Sequence, residues 1–597
     1  MNKTTRPHLV PPVEAAAVPS VEPHAEPSVE SAEPPTEPPT EPSDGSGPID
    51  SSGLIEVSGP IEVSGLIEVS GLTIAAPGGP PVLDAVSLSV RRGERVCIVG
   101  ESGSGKTTLA LALLGALRPG LRVTAGSVMV DGQDVLALRG SALRRHRRRV
   151  VSYLPQDPAT ALTATLRVRG QLTELSATAS TAEVSRRLAE VALPGDAAFQ
   201  RRFPHQLSGG QQQRLALARS TSSMPDVLVF DEPTTGLDVH AQRAVMEQID
   251  HLTRARDLAL VLITHDLSVA GTADRLVVMR RGRIVEQGPL PDTLDHPAAD
   301  YTRELIRATP ATDSAARARA AAAPPAPASP TPLLRVATLS AGHGRGKQRR
   351  QVVSGVSFEV HRGESVALLG VSGSGKSTIA RCLTGAHVPD AGTVSLEGDL
   401  LPTALRDRSP ELRRRIQLVP QDSSGSLNPR RTVGSTLLRP LRRQLGMAPS
   451  AATERMTGLL TQVELDPALA GRYPHELSGG QRQRVSIARA LTVNPEVLIC
   501  DEMTSSLDVR VQAAILELLA GLRRELGLGV VLITHDLGVL ASAADRALVL
   551  HEGRTCEQGP VRDLLTAPQH PWTQSLLSAA AQARGDRPES ATTLAAN

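Results

Sequence analysis

Aromatic side chains are scarce in this sequence: 597 residues hold four Phe, three Tyr and one Trp, so any place where they gather carries information. Cysteine is equally rare. Cys97, Cys382, Cys500 and Cys556 show no CxxC or other metal-ligand spacing, which excludes a zinc framework and fits a reducing cytosol. No apolar run approaches the roughly 20 residues that a membrane-spanning helix requires. The N-terminus has no basic segment followed by an apolar one, so no secretory signal is expected. Neither sign of charge dominates: 64 Lys plus Arg stand against 62 Asp plus Glu, and the balance gives no argument for a nucleic-acid or membrane-surface partner. The oddest scarcity is lysine. Only Lys3, Lys106, Lys347 and Lys376 occur, and the other basic residues are Arg.

Composition divides what is there. A chain this long exceeds what one hydrophobic core organises. Residues 1–65 begin as a Pro/Glu/Ser/Ala tail that cannot offset its ordering entropy, an expected disordered segment. It runs into a hexapeptide repeat, Ser52–Val57, Ser58–Val63 and Ser64–Val69, whose last copy merges with the alternating Ile67, Val69, Leu72 and Ile74 of an expected first strand. Three copies are too few for a solenoid. An Ala/Pro-rich stretch at 309–332 reads as a linker, and 581–597 as a frayed tail. These segments bound two expected domains, 66–308 and 333–580.

The two domains are copies. GESGSGKT at 100–107 returns as GVSGSGKS at 370–377, and PHQLSGGQQQR at 204–214 as PHELSGGQRQR at 474–484. DEPTTGLDV at 231–239 returns as DEMTSSLDV at 501–509, and VLITHDL at 261–267 recurs at 531–537. All four pairs are 270 residues apart, which is the mark of a duplicated domain.

Each motif has a chemical reason. GxxxxGK[ST] between a strand and a helix is a phosphate-binding loop. Gly100, Gly103 and Gly105, with Gly370, Gly373 and Gly375 in the second copy, let backbone N–H groups point inward at a phosphate. Lys106 and Lys376 reach the β/γ-phosphates, Thr107 and Ser377 offer a hydroxyl to Mg²⁺, and Thr108 and Thr378 follow them. An accidental glycine-rich turn would not draw two of four lysines to one loop position. A compact ammonium fits a backbone cage where a planar guanidinium does not. Next, Val227–Phe230 and Val497–Cys500 are apolar strands that end in carboxylate pairs, Asp231 with Glu232 and Asp501 with Glu502. The Asp suits a Mg²⁺ shell and the Glu can activate water.

LSGGQ, at Leu207–Gln211 and Leu477–Gln481, beside a phosphate loop resembles the signature of ABC ATPases. The resemblance covers most of 66–308 and 333–580. It implies an α/β fold: two P-loop cassettes, each a mainly parallel core sheet with a helical subdomain. It further implies head-to-tail stacking within the chain, each ATP lying between one phosphate loop and the other cassette's signature. One site then joins Lys106, Thr107, Asp231, Glu232 and His265 to Ser478, Gly479 and Gly480. The other joins Lys376, Ser377, Asp501, Glu502 and His535 to Ser208, Gly209 and Gly210. Gln156 and Gln421 fall in the loop linking nucleotide state to transmembrane partners. Where family members stack an aromatic on adenine, this chain has Ala76 and His343, and the second cassette has DEM in place of DEP.

Three local features are similar to the dipeptide, oligopeptide and nickel importer branch. An aromatic-Pro-His run precedes each signature (Phe203, Pro204, His205; Tyr473, Pro474, His475), the segment at the second glutamine reads QDSSGSLNPR at 421–430, and each cassette ends in EQGP with a His-Pro and an aromatic-Thr pair (His296, Pro297, Tyr301, Thr302; His570, Pro571, Trp572, Thr573). The branch implies two transmembrane permease subunits, an extracellular solute-binding protein and a peripheral place on the cytoplasmic face of the membrane. With no cysteine cluster in the first cassette's tail, no iron–sulfur centre is expected. Twin-cassette translation factors and exporter motors remain as alternatives, the former disfavoured by the importer-type tails. Zinc-bearing repair ATPases lack their cysteines here. The basic runs 144–149 and 413–415 read as solvated helix faces, with no nucleic-acid partner.

The lysine economy yields a test. Lys106→Arg keeps the charge, yet a backbone cage predicts a marked loss of nucleotide affinity at the first site, measured with Lys376 disabled. Unchanged affinity would reject the cage.

Overall fold

The computed structural model describes residues 65–583 apart from 175–179, 235–238, 310–330, 345–348 and 505–506. The N-terminal tail and the first two hexapeptides, most of the Ala/Pro linker and the last residues lie outside the described ones.

In the first cassette β1 (Ile67–Ala75), β2 (Pro81–Val90), β4 (Arg122–Val130) and the short β5 (Gln133–Asp134) form an antiparallel sheet in the order β2-β1-β4-β5. A second sheet contains β3 (Arg95–Val99), β6 (Val151–Leu154), β7 (Val227–Asp231), β8 (Ala259–Thr264), β9 (Arg275–Arg280) and β10 (Arg283–Pro289), ordered β10-β9-β3-β8-β7-β6. All its neighbours are parallel except the edge strand β10. The second cassette repeats both sheets. Strands β11 (Leu334–His343), β12 (Arg350–Val360), β14 (Ala391–Leu396) and β15 (Asp399–Leu400) form the antiparallel one. Strands β13 (Ser365–Gly370), β16 (Ile416–Val419), β17 (Val497–Asp501), β18 (Gly529–Thr534), β19 (Arg546–His551) and β20 (Arg554–Pro560) form the mainly parallel one. The expected α/β class, with a mainly parallel core sheet in each half, is what the chain adopts.

Burial explains the composition of the central strands. Successive side chains leave a strand on opposite faces, and a parallel sheet covered on both faces needs apolar residues at every position. On β7, Val227 and Val229 join Ile98, Ile263 and Ile67 with Leu109 and Leu113 of helix α1 (Lys106–Leu113), which lies between the two sheets. Leu228 and Phe230 face the opposite way, toward Leu215 and Leu217 of α2 (Gly209–Ser220) and Ile249 of α3 (Val239–Arg256). Phe230 is fully buried, a burial worth roughly 1.5–3 kcal/mol. Cys97 lies in this core, and Cys500 in the matching core of the second cassette. Burial pushes the Cys500 thiol up to about 12 and raises Cys97 as well, which suits both as inert packing groups.

Between Gln156 and Ser208 short helices at Val168–Thr173, Thr181–Glu190 and Ala197–Gln200 bury Val168, Leu172, Val184, Leu188 and Phe199 in a helical subdomain. The second cassette uses Val433–Arg443 and Pro449–Gln462. The cassettes also meet through their C-terminal helices. Helix α4 (Asp300–Ala308) packs on α7 (Val509–Leu526), and α8 (Pro571–Ala583) packs on α3, so each cassette's tail leans on the other's helix behind the carboxylate pair.

The basic runs are solvated for the most part, with Arg144, Arg145, Arg148, Arg149 and Arg413 exposed, but several of their side chains also make fixed contacts. His146 is buried, and Arg147 donates to the carbonyls of Leu114 (2.7 Å) and Gly115 (3.0 Å). Arg413 donates to Leu405 and Arg406, and Arg415 pairs with Glu496 and Glu397. Arg147 and Arg413 thus hold neighbouring loop carbonyls, and Arg415 is ion-paired beside the edge strand Ile416–Val419.

Candidate functional site

The register of the parallel strands assembles the site. Val99 on β3 is level with Thr264 on β8, and Asp231 on β7 with Ile263. The phosphate loop after β3, the carboxylates after β7 and His265 after β8 therefore emerge side by side at one sheet edge. In the second cassette Leu369 is level with Thr534, and Asp501 with Ile533, with the same result.

The loop turns on glycines that nothing else can replace. Gly105 and Gly375 precede the helices α1 and α5 (Lys376–Leu383) with φ of 99° and 100°. A Cβ there would stand 2.9 Å from the Val82 carbonyl oxygen and 3.0 Å from that of Val352. Inside the loop Lys106 Nζ donates to Gly100 O at 2.6 Å and Glu101 O at 2.9 Å, and Lys376 Nζ to Gly370 O at 2.6 Å and Val371 O at 3.0 Å. Both ammonium groups are buried, with 6% and 5% exposure. Burial lowers the Lys106 pKa, against the pull of Glu232, Asp231, Asp508 and Glu101. Asp508 belongs to the second cassette, so its charge reaches the first loop.

Asp231 and Asp501 sit beside the loop hydroxyls. Ser377 Oγ is 3.3 Å from Asp501 Oδ1, and Thr107 bonds Asp231. Burial raises both carboxyls above their ordinary value, against the hydroxyl hydrogen bonds that favour the charged form. Glu232 and Glu502 adopt the left-handed region, φ 53° and 43°, where side chains other than glycine are strained by about 1–3 kcal/mol. Their amides are pinned to Ile263 O (2.8 Å) and Ile533 O (3.0 Å). Two partners then hold each carboxylate. His265 Nδ1 lies 3.1 Å from Glu232 Oε1, and Gln156 Nε2 donates to Oε2 at 2.6 Å. His535 Nδ1 lies 3.3 Å from Glu502 Oε1, and Gln421 Nε2 donates to Oε2 at 3.0 Å. Lys376 Nζ is 3.7 Å from Glu502. Burial opposes charge on both histidines, but the glutamate hydrogen bond and charge prevail and raise their pKa values. Burial likewise opposes charge on Glu502, and His535 and Lys376 outweigh it, holding that carboxyl below its ordinary value.

The signature serines cap helices. Ser208 Oγ accepts from Gln211 N (3.3 Å) and Ser478 Oγ from Gln481 N (3.2 Å), with each glutamine side chain returning a bond to the serine amide. Gly209–Gly210 and Gly479–Gly480 thus open α2 and α6 (Gly479–Leu491) with their amides at the positive helix end. A Cβ on Gly480 would lie 2.5 Å from Val511 Cγ1, so the approach of α7 demands glycine there.

At the expected adenine positions, His343 Nε2 is 3.1 Å from Thr378 Oγ1 with its ring 4.8 Å from His387, while Ala76 occupies a turn closed by Gly79 N–H and brings no ring. Sequence reasoning missed two things. One is the left-handed glutamates, which no local pattern announces. The other is Tyr153, whose hydroxyl donates to Asp231 Oδ2 at 3.1 Å. Its signal was rarity alone, as one of three tyrosines. Among the described residues no helix is long and apolar enough to cross a membrane, and no cluster of three or more His, Cys, Asp or Glu could hold a metal ion.

Residues 83–235 and 353–505 match a family model described as ABC transporter. Residues 285–333 and 556–596 match one described as oligopeptide/dipeptide transporter, C-terminal region. The glutathione import ATP-binding protein GsiA of Salmonella typhimurium is 37% identical over 533 residues, spanning 83% of this chain and 85% of that protein. Its namesake in Escherichia coli K12 is 36% identical over 541 residues, spanning 84% and 87%. Of solved structures, cbiO1 from Clostridium perfringens, part of the ABC transporter complex cbiONQ, aligns with 26% identity and a TM-score of 0.36, over 40% of this chain and 92% of that one.

The glutamate–histidine pairs set a pH signature. The raised histidine pKa contributes stability that is complete below the unfolded value of about 6.5 and is lost as pH rises through the higher folded value. The lowered Glu502 contributes stability present above about 4.3 and lost as pH falls through its folded value. Thermal midpoints of nucleotide-free wild type should therefore exceed those of Glu502→Gln most between about pH 5 and 6.5, the gap narrowing toward pH 9. A gap independent of pH would contradict a charged His535–Glu502 pair.

Proposed function

This chain belongs to the ABC transporter family as a twin-cassette ATP-binding protein that hydrolyses ATP to drive transport, and from that premise we propose that it energises import of di- or oligopeptides or a related small solute, glutathione-like or nickel. The relatives named for glutathione import and the oligopeptide-type C-terminal regions support this direction over an exporter motor or a translation factor. The partners would be two transmembrane permease subunits and an extracellular solute-binding protein, with the chain peripheral on the cytoplasmic face. The working units would be 66–308 and 333–580, joined by the 309–332 linker.

One observation carries the catalytic reading: in both cassettes a strained glutamate is gripped by a histidine and a glutamine at the sheet edge that bears the phosphate loop. Glu232 and Glu502 would act as general bases for the attacking water, and His265 and His535 would orient them and contact the γ-phosphate. Gln156 and Gln421, already bonded to the bases, would report the nucleotide state outward. Lys106 and Lys376 would exchange their loop carbonyls for β/γ-phosphate oxygens. The hydroxyls of Thr107 and Ser377 beside Asp231 and Asp501 form a hard-oxygen set of the kind Mg²⁺ takes, and the ion would supply charge neutralisation there. Each site would be completed across the stack. Ser478, Gly479 and Gly480 would face the ATP on Lys106, and Ser208, Gly209 and Gly210 the ATP on Lys376. The charge of Asp508 felt by Lys106 supports that pairing.

Glu232→Gln and Glu502→Gln should each impair hydrolysis and spare ATP binding, and the double variant should accumulate a closed, ATP-filled state. Wild-type turnover in the double variant would remove the glutamates from the base role. The shared-site arrangement has its own test. With Glu502→Gln silencing the second site, Ser478→Arg should abolish most remaining turnover while ATP still binds at 100–107, because bulk and positive charge displace groups aimed at the γ-phosphate. Undiminished turnover would mean that the two halves hydrolyse independently.

A further inference from the structure

Tyr301, on the helix α4 that closes the first cassette, is buried with 3% exposure. Its hydroxyl accepts a hydrogen bond from the backbone N–H of Glu101 at 3.0 Å. The carbonyl of that same Glu101 accepts from Lys106 Nζ. The phosphate loop is thus clamped at one residue from two sides, by the ammonium within and the phenol outside. The Tyr301 ring also meets two guanidinium groups. Arg280 of its own cassette stands 4.6 Å from the ring centroid, and Arg510 of the second cassette 5.9 Å. Arg510 pairs with Glu304 (3.4 Å), one turn along α4 from Tyr301. On the other side, Arg510 is the second residue of α7, and Asp508 caps that helix by accepting from Val511 N at 3.0 Å. One helix start therefore reaches the first phosphate loop twice: Asp508 through its charge on Lys106, and Arg510 through Tyr301 to the Glu101 amide.

We infer that Tyr301 is a positioning residue of the first ATP site that carries the docking of the second cassette to the first phosphate loop through Arg510. The inference rests on reading 100–107 as the phosphate loop. When Lys106 leaves its carbonyls for a phosphate, the Ser104 amide still donates to the Glu101 carbonyl (3.1 Å), and the Tyr301 hydroxyl holds the Glu101 N–H on the other side of that residue. Arg510 and Glu304 are 39% and 48% exposed, and exposed ion pairs contribute little to holding surfaces together. A weak contact that forms only when the cassettes dock is suited to biasing the tyrosine and not to cementing the interface.

The device is built in one half. At the corresponding place the second cassette has Trp572, stacked on His551 with ring centroids 3.7 Å apart, as Tyr301 lies against Arg280. An indole N–H donates and has no acceptor. Trp572 therefore cannot receive the Val371 amide as the phenol receives that of Glu101.

The test is steady-state ATP turnover of the full chain, one site at a time. With Glu502→Gln leaving only the first site active, Tyr301→Phe should lower kcat about three- to tenfold, the net value of one hydrogen bond, with a smaller change in KM. Arg510→Gln should give a similar loss, and the double variant little more than either. With Glu232→Gln leaving only the second site, Tyr301→Phe should cost that site less than it costs the first. Equal losses at both sites, or losses that multiply in the double variant, would overturn the inference. Its fate is separable from that of the shared ATP site: a first site indifferent to Ser478→Arg, yet showing non-multiplying losses for Tyr301 and Arg510, would refute the shared site and uphold the tyrosine relay.

Discussion

One buried ammonium group organises each half of this protein, Lys106 in the first and Lys376 in the second. Taking a lysine out of water is costly unless carbonyl oxygens and carboxylates surround it. Around Lys106 the carbonyls come from Gly100 and Glu101, at a turn that glycines make possible, and the carboxylates from Asp231 and Glu232 at the end of β7, one strand beyond the neighbouring β8. The arrangement works only if three parallel strands end level with one another, and their register meets that demand. The fully apolar central strands serve the same end, because a sheet buried on both faces holds its edge rigid.

The same economy governs the glutamates. A glutamate in the left-handed region, its amide N–H hydrogen-bonded to a carbonyl of the next strand and its carboxylate gripped by a histidine and a glutamine, has little freedom to move. Strain of this kind persists where surrounding structure over-determines it, and it recurs at the same residue in both cassettes. The halves are nonetheless not equivalent. Tyr153 bonds Asp231 in the first, where Leu418 stands at the matching place in the second, and phenol and indole divide the C-terminal helices in the same way. A duplicated chain has thus kept the glutamate–histidine–glutamine geometry of its two sites and differentiated the groups around it.

Much is legible in the sequence alone. The repeat, the phosphate loops, the carboxylate pairs and the class of fold follow from strings of adjacent residues, because each is a local solution to a local problem. A glycine is needed where φ is positive, an apolar strand where both faces are covered, and a serine where a helix begins. Charge runs were less legible. The arginines at 144–149 and 413–415 look alike in sequence, yet Arg147 and Arg415 are tied into loops and acidic partners far along the chain.

What the sequence by itself determined is therefore the chemistry: two of four lysines in phosphate loops, two carboxylate pairs, two capped signature helices, and a duplication that sets them at a constant spacing. What only the tertiary structure decided is which groups meet across distance. Gln156 reaching Glu232, Asp508 acting on Lys106, and Arg510 resting against Tyr301 join residues 76 to 402 positions apart, or belong to different cassettes. The physical reason is that local motifs are specified by backbone conformation and burial, which neighbouring residues control. Pairings between distant side chains depend on strand register and helix packing, which the whole chain settles at once.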